Sequence, residues 1–211
     1  MEFWEASFRD KQEMWGQAPA DAARQAADFF QQQGLGHVLI PGFGYGRNAR
    51  PFTAAGMRVT GIEIAATAIE LARRHLPPEV VIHHGSVGDM PFDEALYDGI
   101  FCYALIHLLD PAGRRKLIED CYRHLAPGGY MIFVALSTEN ATYGEGEAIG
   151  DNSFVSRHGV SLFFYDDRAV ESEFGDYGLI EAEEVTEPTR AEGEQPVQKF
   201  WRIVCEKEEV E

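Results

Sequence analysis

The chain has 211 residues and 23.6 kDa, with 45% apolar and 25% charged residues, the composition of one globular domain with a substantial core. Its 35 acidic and 18 basic residues give a formal charge of −17, which repels phosphate backbones and anionic membrane surfaces. We therefore expect neither nucleic acid nor a membrane as a partner. The short basic clusters Arg73-Arg74 and Arg114-Arg115-Lys116 are expected to be solvated helix faces.

The cysteines and the apolar runs indicate the cellular compartment of the chain. Cys102, Cys121 and Cys205 are odd in number and widely spaced, which argues against a disulfide framework or a structural zinc site. The first residues carry charge throughout, and the longest apolar run is too short to cross a bilayer. These features predict a reducing cytoplasm, without export or membrane anchoring.

Strand and helix signals alternate along the first two thirds of the chain. Helices are expected in ADAARQAADFFQQQ, NARPFTAAG, AATAIELARRHL and PAGRRKLIEDCYRHLAPGG. Strands are expected in HVLI, MRVTGIEI, VVIHHGS, YDGIFCYALI and YMIFVALS. Five strands joined by helices predict an α/β fold with a doubly wound, mostly parallel sheet.

The last third has a different pattern. Residues 138–158 are polar and glycine-rich with little periodicity, and a loop of this length is typical of a functional lid. A helix is then expected in DDRAVESEFGDYG, followed by LIEAEEVTE and KFWRIVCEK as an antiparallel hairpin that completes a seven-stranded sheet. We expect one domain, 1–211, made of N-terminal cover helices (1–34), a cofactor-binding core (35–136), a lid insertion (137–160) and a C-terminal helix and hairpin (161–211).

A glycine-rich loop follows the first strand. Gly42, Gly44 and Gly46 alternate with other residues and lead into a helix, so backbone N–H groups lie at the carboxyl edge of the sheet, where a ligand can approach. The loop lacks the lysine of a phosphate-binding P-loop and the spacing of a dinucleotide loop. Taken alone, the pattern suits a turn as well as a ligand loop.

Glu63 ends the second strand, where a carboxylate can accept hydrogen bonds from both hydroxyls of a ribose. The same position suits a helix N-cap. Together with the glycine loop, this favours adenosine binding.

The segments VLIPGFGYGRNA, GMRVTGIEIAATAIELAR, HHGSVGDMPF, YDGIFCYALIHLL and LAPGGYMIF, in this order and spacing, resemble the class I S-adenosylmethionine-dependent methyltransferases. The resemblance runs over residues 35–136 and more loosely to the C-terminal hairpin. It implies a Rossmann-like methyltransferase fold, S-adenosylmethionine as methyl donor and S-adenosylhomocysteine as product.

The resemblance also implies roles for individual residues. The three glycines lie under the methionine part of the cofactor, Glu63 holds the ribose and Ile64 packs on the adenine. The remaining positions are Ser86 and Val87, which match the segment that reads the adenine edge, and Tyr103, which matches the position at the sulfonium end. Because Ser86 replaces the usual acidic residue, backbone groups or nearby Asp89 would take its part.

Pro41 is a second departure, because many relatives have an acidic residue there. The variant PGFGYG and the N-terminal tryptophans are similar to the thiopurine and tellurite-resistance subgroup, which acts on small thiols, chalcogens or similar acceptors. In that subgroup the N-terminal segment folds over the cofactor, so Trp15 is either such a cover or a core anchor. Without an acid at Pro41, Arg47 and Asn48 become candidate contacts to the amino-acid end of the cofactor.

The predicted function is methyl transfer to a small molecule whose acceptor atom, in a thiol, chalcogen, amine or carboxylate, the sequence leaves open. His107, after the fourth strand, is the candidate base; a histidine bonded to backbone is the alternative. A non-catalytic adenosyl-binding module and a nicotinamide-dependent oxidoreductase are the competing functions. A metal site at His75, His83 and His84 is disfavoured because the strand turns neighbouring side chains to opposite faces. The candidate lid residues are Glu139, Tyr143, Arg157 and His158.

Overall fold

The computed structural model describes residues 2–188 and 198–209. Its main sheet has seven strands in the order β3-β2-β1-β4-β5-β10-β9. The first five strands run parallel, while β10 pairs antiparallel with β5 and β9. This is the predicted Rossmann-like methyltransferase fold with its C-terminal hairpin.

The elements have the following bounds. The helices are α1 Glu2–Lys11, α2 Asp21–Gln32, α3 Arg50–Ala54, α4 Ala66–His75, α5 Pro111–His124 and α6 Asp167–Phe174. The strands are β1 His37–Pro41, β2 Arg58–Glu63, β3 Val81–His84, β4 Tyr97–Tyr103, β5 Leu125–Leu136, β6 Glu147–Gly150, β7 Ser153–Val155, β8 Ser161–Phe163, β9 Leu179–Glu187 and β10 Gln198–Glu206.

Both faces of the sheet are covered by helices, and β5 shows why its sequence is continuously apolar. Ile132 and Val134 point to the face on which α2 and α3 pack, whereas Met131 and Phe133 point to the face of α5 and α6. A strand buried on both sides needs apolar residues at every position. The carboxyl ends of β1, β2, β4 and β5 meet at one edge of this sheet.

Several boundaries differ from the sequence prediction. The fourth strand was expected to run to residue 106 but ends at Tyr103, because Ala104 has a φ of 52° and leaves the extended conformation. The fifth helix ends at His124, and the Ala-Pro-Gly-Gly segment already belongs to β5. Most of the predicted turn between the last two strands lies outside the described residues.

Residues 138–158 do not form an irregular loop. Together with residues 161–163 they contain β6, β7 and β8, a separate antiparallel sheet of three short strands. Phe154, Tyr143 and Phe164 pack edge to face behind it, with ring centroids 5.4–5.9 Å apart. The segment therefore has an aromatic cluster of its own.

The prediction of a solvated basic face at residues 114–116 is wrong for Arg114. Its side chain is buried, and Nη2 and Nε donate to Glu173 of α6 at 2.8 and 3.0 Å. The guanidinium also lies 3.8 Å from the ring centroid of Phe163. Arg115 and Lys116 are exposed, as predicted.

Cys102, Cys121 and Cys205 are all buried and free, which agrees with the prediction that they form no disulfide framework. Burial raises the pKa of each thiol, that of Cys205 to about 12, so all three stay protonated near neutral pH. Over residues 2–188 and 198–209, no helix has the length and apolar character needed to cross a membrane.

Candidate active site

The glycine loop and Glu63 form one hydrogen-bonded unit. The register of β1 and β2 brings Pro41 beside Ile62, so the loop after β1 passes directly over the end of β2. The backbone N–H of Gly44 donates to Glu63 Oε2 at 2.6 Å, and that of Ala65 donates to Oε1 at 2.8 Å. The Glu63 carboxylate thus connects the glycine loop to the residue before α4.

Glu63 is buried, with 6% of its surface exposed. Burial raises its pKa above the usual value, although the backbone N–H groups of Ala65, Gly44 and Ile64 pull the pKa down. A carboxylate has about four acceptor positions, and the hydrogen bonds from the Gly44 and Ala65 N–H groups use one on each oxygen. Each oxygen can therefore accept one further donor, as a pair of vicinal hydroxyls requires.

Gly46 serves the packing of the loop. It has a φ of 79°, and a Cβ at this position would lie 2.5 Å from Leu76 Cδ1 and 3.0 Å from Phe43 Cε1. Only glycine combines the left-handed conformation with this close approach to the residues around α4. Gly46 is absent from the cavity wall, whereas Gly42 and Gly44 line it.

Arg47 and Asn48 hold the N-terminal segment against the loop. Arg47 Nη1 donates to the backbone oxygens of Trp15 and Ala18, both at 3.2 Å. Asn48 Oδ1 accepts from the backbone N–H of Ala20 at 3.0 Å, immediately before α2. Both residues line the cavity. Their contact with the amino-acid end of a cofactor stays a prediction.

Trp15 lies over the glycine loop. Its ring stacks on that of Tyr45 with centroids 6.2 Å apart and planes 13° apart. The Tyr45 hydroxyl accepts from the Trp15 N–H at 3.1 Å and donates to the Gly16 carbonyl at 2.7 Å. Because Trp15 is 48% exposed and lines the cavity, its placement favours a cover over a core anchor.

The ends of the second, third and fourth strands supply the rest of the predicted site. Ile64, Ser86 and Val87 line the cavity, and Ser86 Oγ accepts from the Gly88 N–H at 3.1 Å, capping a short 3-10 turn. Tyr103 ends β4, and the Arg47 guanidinium lies 6.0 Å from its ring centroid. Burial raises the pKa of Tyr103, so this side chain is a neutral phenol.

His107 lines the cavity but is poorly suited to be a base. Its Nδ1 accepts the backbone N–H of Leu136 at 3.2 Å, and burial lowers its pKa to about 3. A neutral imidazole whose Nδ1 is an acceptor carries its proton on Nε2. His107, the predicted general base, can therefore donate a hydrogen bond from Nε2 into the cavity. Its bond to the Leu136 backbone matches the alternative given in the sequence analysis, a histidine bonded to backbone.

The cavity at this edge has a volume of about 1220 Å³. That exceeds the roughly 300–1,000 Å³ of a site for one small molecule, so there is room for two ligands side by side. Except for Gly46, every residue predicted for the site lines it: Trp15, Gly42, Gly44, Arg47, Asn48, Glu63, Ile64, Ser86, Val87, Tyr103 and His107.

The lid candidates lie elsewhere. Glu139, Tyr143, Arg157 and His158 are not part of the cavity wall, which is closed instead by the N-terminal segment and by the end of the C-terminal hairpin. The Tyr143 hydroxyl donates to Asn152 within the small sheet, and Arg157 contacts His158. A movement of this sheet onto a bound ligand stays a prediction.

Glu187, the last residue of β9, is a residue of the site that was not predicted from the sequence. It is 8% exposed, lines the cavity, and accepts from the backbone N–H groups of Asp21 and Ala22 at 2.8 and 3.0 Å. Burial raises its pKa. Its position before Pro188 at the end of a strand was the one signal available.

The three histidines of the disfavoured metal site each have a different hydrogen-bond partner. His83 contacts Asp93 at 2.9 Å, His75 contacts Glu13 at 2.6 Å, and His84 contacts the Ile64 carbonyl at 3.1 Å. Over the described ranges, no group of three or more His, Cys, Asp or Glu side chains is arranged to hold a metal ion.

Residues 38–129 match the family described as "Methyltransferase domain". Two curated relatives are the tRNA N(3)-methylcytidine methyltransferase Mettl2 of Drosophila melanogaster and the ubiquinone biosynthesis O-methyltransferase of Alkalilimnicola ehrlichii. The first is 23% identical over 70% of this chain and 47% of the relative. The second is 31% identical over 50% of this chain and 44% of the relative. The chain thus spans about half the length of these relatives.

Among solved structures, the chain is similar to the 1,6-didemethyltoxoflavin-N1-methyltransferase of Burkholderia thailandensis, which has 1,6-didemethyltoxoflavin and S-adenosylhomocysteine bound. The TM-score is 0.72, with 18% identity, 97% of this chain covered and 85% of the other. At this identity the similarity concerns the fold, and it extends over almost the whole chain.

Proposed function

We propose that this chain is a class I S-adenosylmethionine-dependent methyltransferase, which transfers a methyl group from S-adenosylmethionine to a small-molecule acceptor; its residues 38–129 match a methyltransferase family. The observation that carries the proposal is the Glu63 carboxylate, fixed by the Gly44 N–H at the wall of a cavity with room for two ligands. Its free acceptor positions suit the ribose of an adenosyl group.

The chain's own residues would bind the two ligands, orient them and exclude water from the site. The sulfonium of S-adenosylmethionine brings an already activated methyl group, so no nucleophilic side chain is required. Glu63 would fix the ribose, and Ile64 and Val87 would flank the adenine. Tyr103 and His107 lie at the fourth strand's end, where the acceptor is expected. The cover formed by Trp15 and Tyr45 would exclude water and hold the two ligands in line.

A small molecule is the acceptor class that the cavity favours. The space lies under the N-terminal segment, and the charge of −17 opposes a polyanionic substrate. The names of the relatives cover an O-methyltransferase, an N1-methyltransferase and a tRNA methyltransferase. They leave the acceptor atom open for this chain.

Calorimetric titration of the chain with S-adenosylmethionine, S-adenosylhomocysteine and NAD tests the proposal. We expect both adenosyl compounds to bind and NAD to give no response. Glu63→Ala should weaken the binding of both by about 1–3 kcal/mol, the range for losing charge-assisted hydrogen bonds. Glu70→Ala, an exposed position on α4, is the matched control and should leave the affinity unchanged.

Thermal unfolding of both variants separates a lost contact from a lost fold, because Glu63 also holds two backbone N–H groups. Tight NAD binding without response to the adenosyl compounds would overturn the proposal. An unchanged affinity in a folded Glu63→Ala would place the ribose elsewhere.

A further inference from the structure

Glu187 presents a fixed carboxylate to the cavity. Its two oxygens each accept one backbone N–H from the first turn of α2, at 2.8 and 3.0 Å, so the orientation of the group is set. Each oxygen keeps a further acceptor position. Across the hairpin Glu187 pairs with Gln198, and Phe200, two residues further along β10, adds an apolar side chain to the same cavity wall.

Among the residues that the structure describes, no side-chain cation forms an ion pair with this carboxylate. None of the ion pairs formed by residues 2–188 and 198–209 includes Glu187. The titratable groups near it are Asp21, which also accepts from Arg24 at 2.8 Å, Arg47, whose Nη1 is bound to two backbone carbonyls, and the Tyr103 hydroxyl. A buried carboxylate without a counter-ion favours a cationic ligand.

The other polar groups near the end of β4 cannot remove a proton. His107 is a neutral imidazole with its proton on Nε2, and Tyr103 is a neutral phenol. As a base, His107 would become a buried imidazolium, and Tyr103 would first have to ionise to a buried phenolate; either buried charge costs free energy. Within residues 2–188 and 198–209, Glu187 is thus a carboxylate of the cavity wall without a hydrogen bond or ion pair to another side chain.

We propose that Glu187 binds the ammonium group of the methyl acceptor and takes its proton, so that the acceptor is an amine. This inference rests on the proposed function. The N–H bond breaks and the proton moves to a Glu187 oxygen, which frees the lone pair of the amine. That lone pair forms the bond to the methyl carbon while the carbon–sulfur bond breaks and its electron pair stays on sulfur. The product is a methylated ammonium ion, and Glu187 returns its proton to water.

The test uses matched amines, alcohols and thiols of three sizes, with ethyl, benzyl and naphthylmethyl groups. Binding is measured by calorimetry on the chain saturated with S-adenosylhomocysteine, and turnover by release of S-adenosylhomocysteine from S-adenosylmethionine. We expect at least one amine to bind tenfold or more tightly than its alcohol and thiol. The same amine should be methylated in preference to them.

Glu187→Gln removes the charge but keeps an oxygen for the α2 backbone. Glu183→Gln, an exposed position on the same strand, is the matched control. In Glu187→Gln the amine should lose tenfold or more in affinity and in turnover, while alcohol binding and S-adenosylhomocysteine affinity stay within twofold. A merely structural role in capping α2 would instead weaken all ligands together.

The pH dependence gives an independent readout. An ammonium ion binds the ionised carboxylate, so in the wild type amine affinity should rise as the pH increases from about 4.5 through the pKa of Glu187. In Glu187→Gln it should be flat. Equal binding of amines and alcohols, or a Glu187→Gln variant that behaves like Glu183→Gln, would overturn the inference. Failure of S-adenosylhomocysteine to bind the wild type would instead contradict the proposed function.

Discussion

Glu63 combines a role at the site with a cost to the fold. Its pKa is raised by burial, so the folded chain holds this proton more firmly than the unfolded chain, whose value is about 4.5. A raised pKa adds stability that is fully present below the unfolded value and is lost as the pH rises through the folded value. Ionisation of Glu63, which the proposed ribose contact needs, therefore lowers the free energy of unfolding.

Glu63→Gln removes this titration. We expect the free energy of unfolding of Glu63→Gln, minus that of the wild type, to increase as the pH rises from about 4.5 through the raised pKa of Glu63, because only the wild type loses stability there. Urea unfolding followed by circular dichroism at several pH values measures the difference. Glu70→Gln, exposed on α4, should give a difference that does not change with pH. A pH-independent difference for Glu63→Gln would show that its pKa is not raised.

Whether a site residue could be predicted from the sequence depends on how far along the chain its hydrogen-bond partners lie. Glu63 and the glycines could be predicted because each directly follows a strand, and Gly44 lies 19 residues from the carboxylate it contacts. Glu187 could not be predicted, because the N–H groups it accepts lie 166 and 165 residues away. The proton position on His107 likewise depends on Leu136, a contact that only the folded sheet creates.

The N-terminal cover, residues 2–20, is held on the sheet by a small aromatic cluster. Phe8 is buried against Trp15 and Tyr45 with ring centroids 5.9 and 6.2 Å away, and Trp4 packs beside them. Tyr45 adds two hydrogen bonds to the backbone at Trp15 and Gly16. This cluster is separate from the two larger cores, so the cover can open without unfolding the sheet.

Tyr45→Phe should favour that opening. The loss of two hydrogen bonds, each contributing about 0.5–1.5 kcal/mol, should raise the open population of the cover roughly 5- to 160-fold. Hydrogen exchange of the backbone amides of residues 2–20, followed by mass spectrometry, measures it. Tyr130→Phe removes a comparable hydroxyl bond, to Glu206, and should leave these amides unchanged. Unchanged exchange in Tyr45→Phe would mean that ring packing and the hydrogen bonds from Arg47 and Asn48 hold the cover without the Tyr45 hydroxyl.

The predictability of an element follows its length and burial. The strands that build the cofactor edge were predictable because they are long apolar runs set between helices. The strands β6, β7 and β8 have three or four residues and mostly exposed or half-buried side chains, so they lack a clear alternation. Their pairing is decided by local contacts and by the aromatic cluster around Tyr143.

At the scale of the whole molecule, Arg114 joins three parts of the chain. It belongs to α5, pairs with Glu173 of α6, and lies over the ring of Phe163 in β8. Tyr165 donates a further bond to Glu173 at 2.7 Å. One guanidinium thus connects two helices on the side of the sheet opposite α2 with the small antiparallel sheet. The sequence does not reveal this role, because Arg114 and Arg115 are adjacent and of the same type, yet Arg114 is buried and Arg115 is exposed.

Arg114→Ala should therefore destabilise the fold much more than a surface substitution. Breaking a buried ion pair costs about 3–5 kcal/mol, and we expect the lower end, about 3 kcal/mol, because 21% of the Glu173 side chain remains in contact with solvent. The free energy of unfolding in urea measures this loss, and Arg115→Ala should stay within about 0.5 kcal/mol of the wild type. Equal stabilities of the two variants would mean that α5, α6 and β8 are held together by their apolar contacts alone, with Arg114 as a bystander.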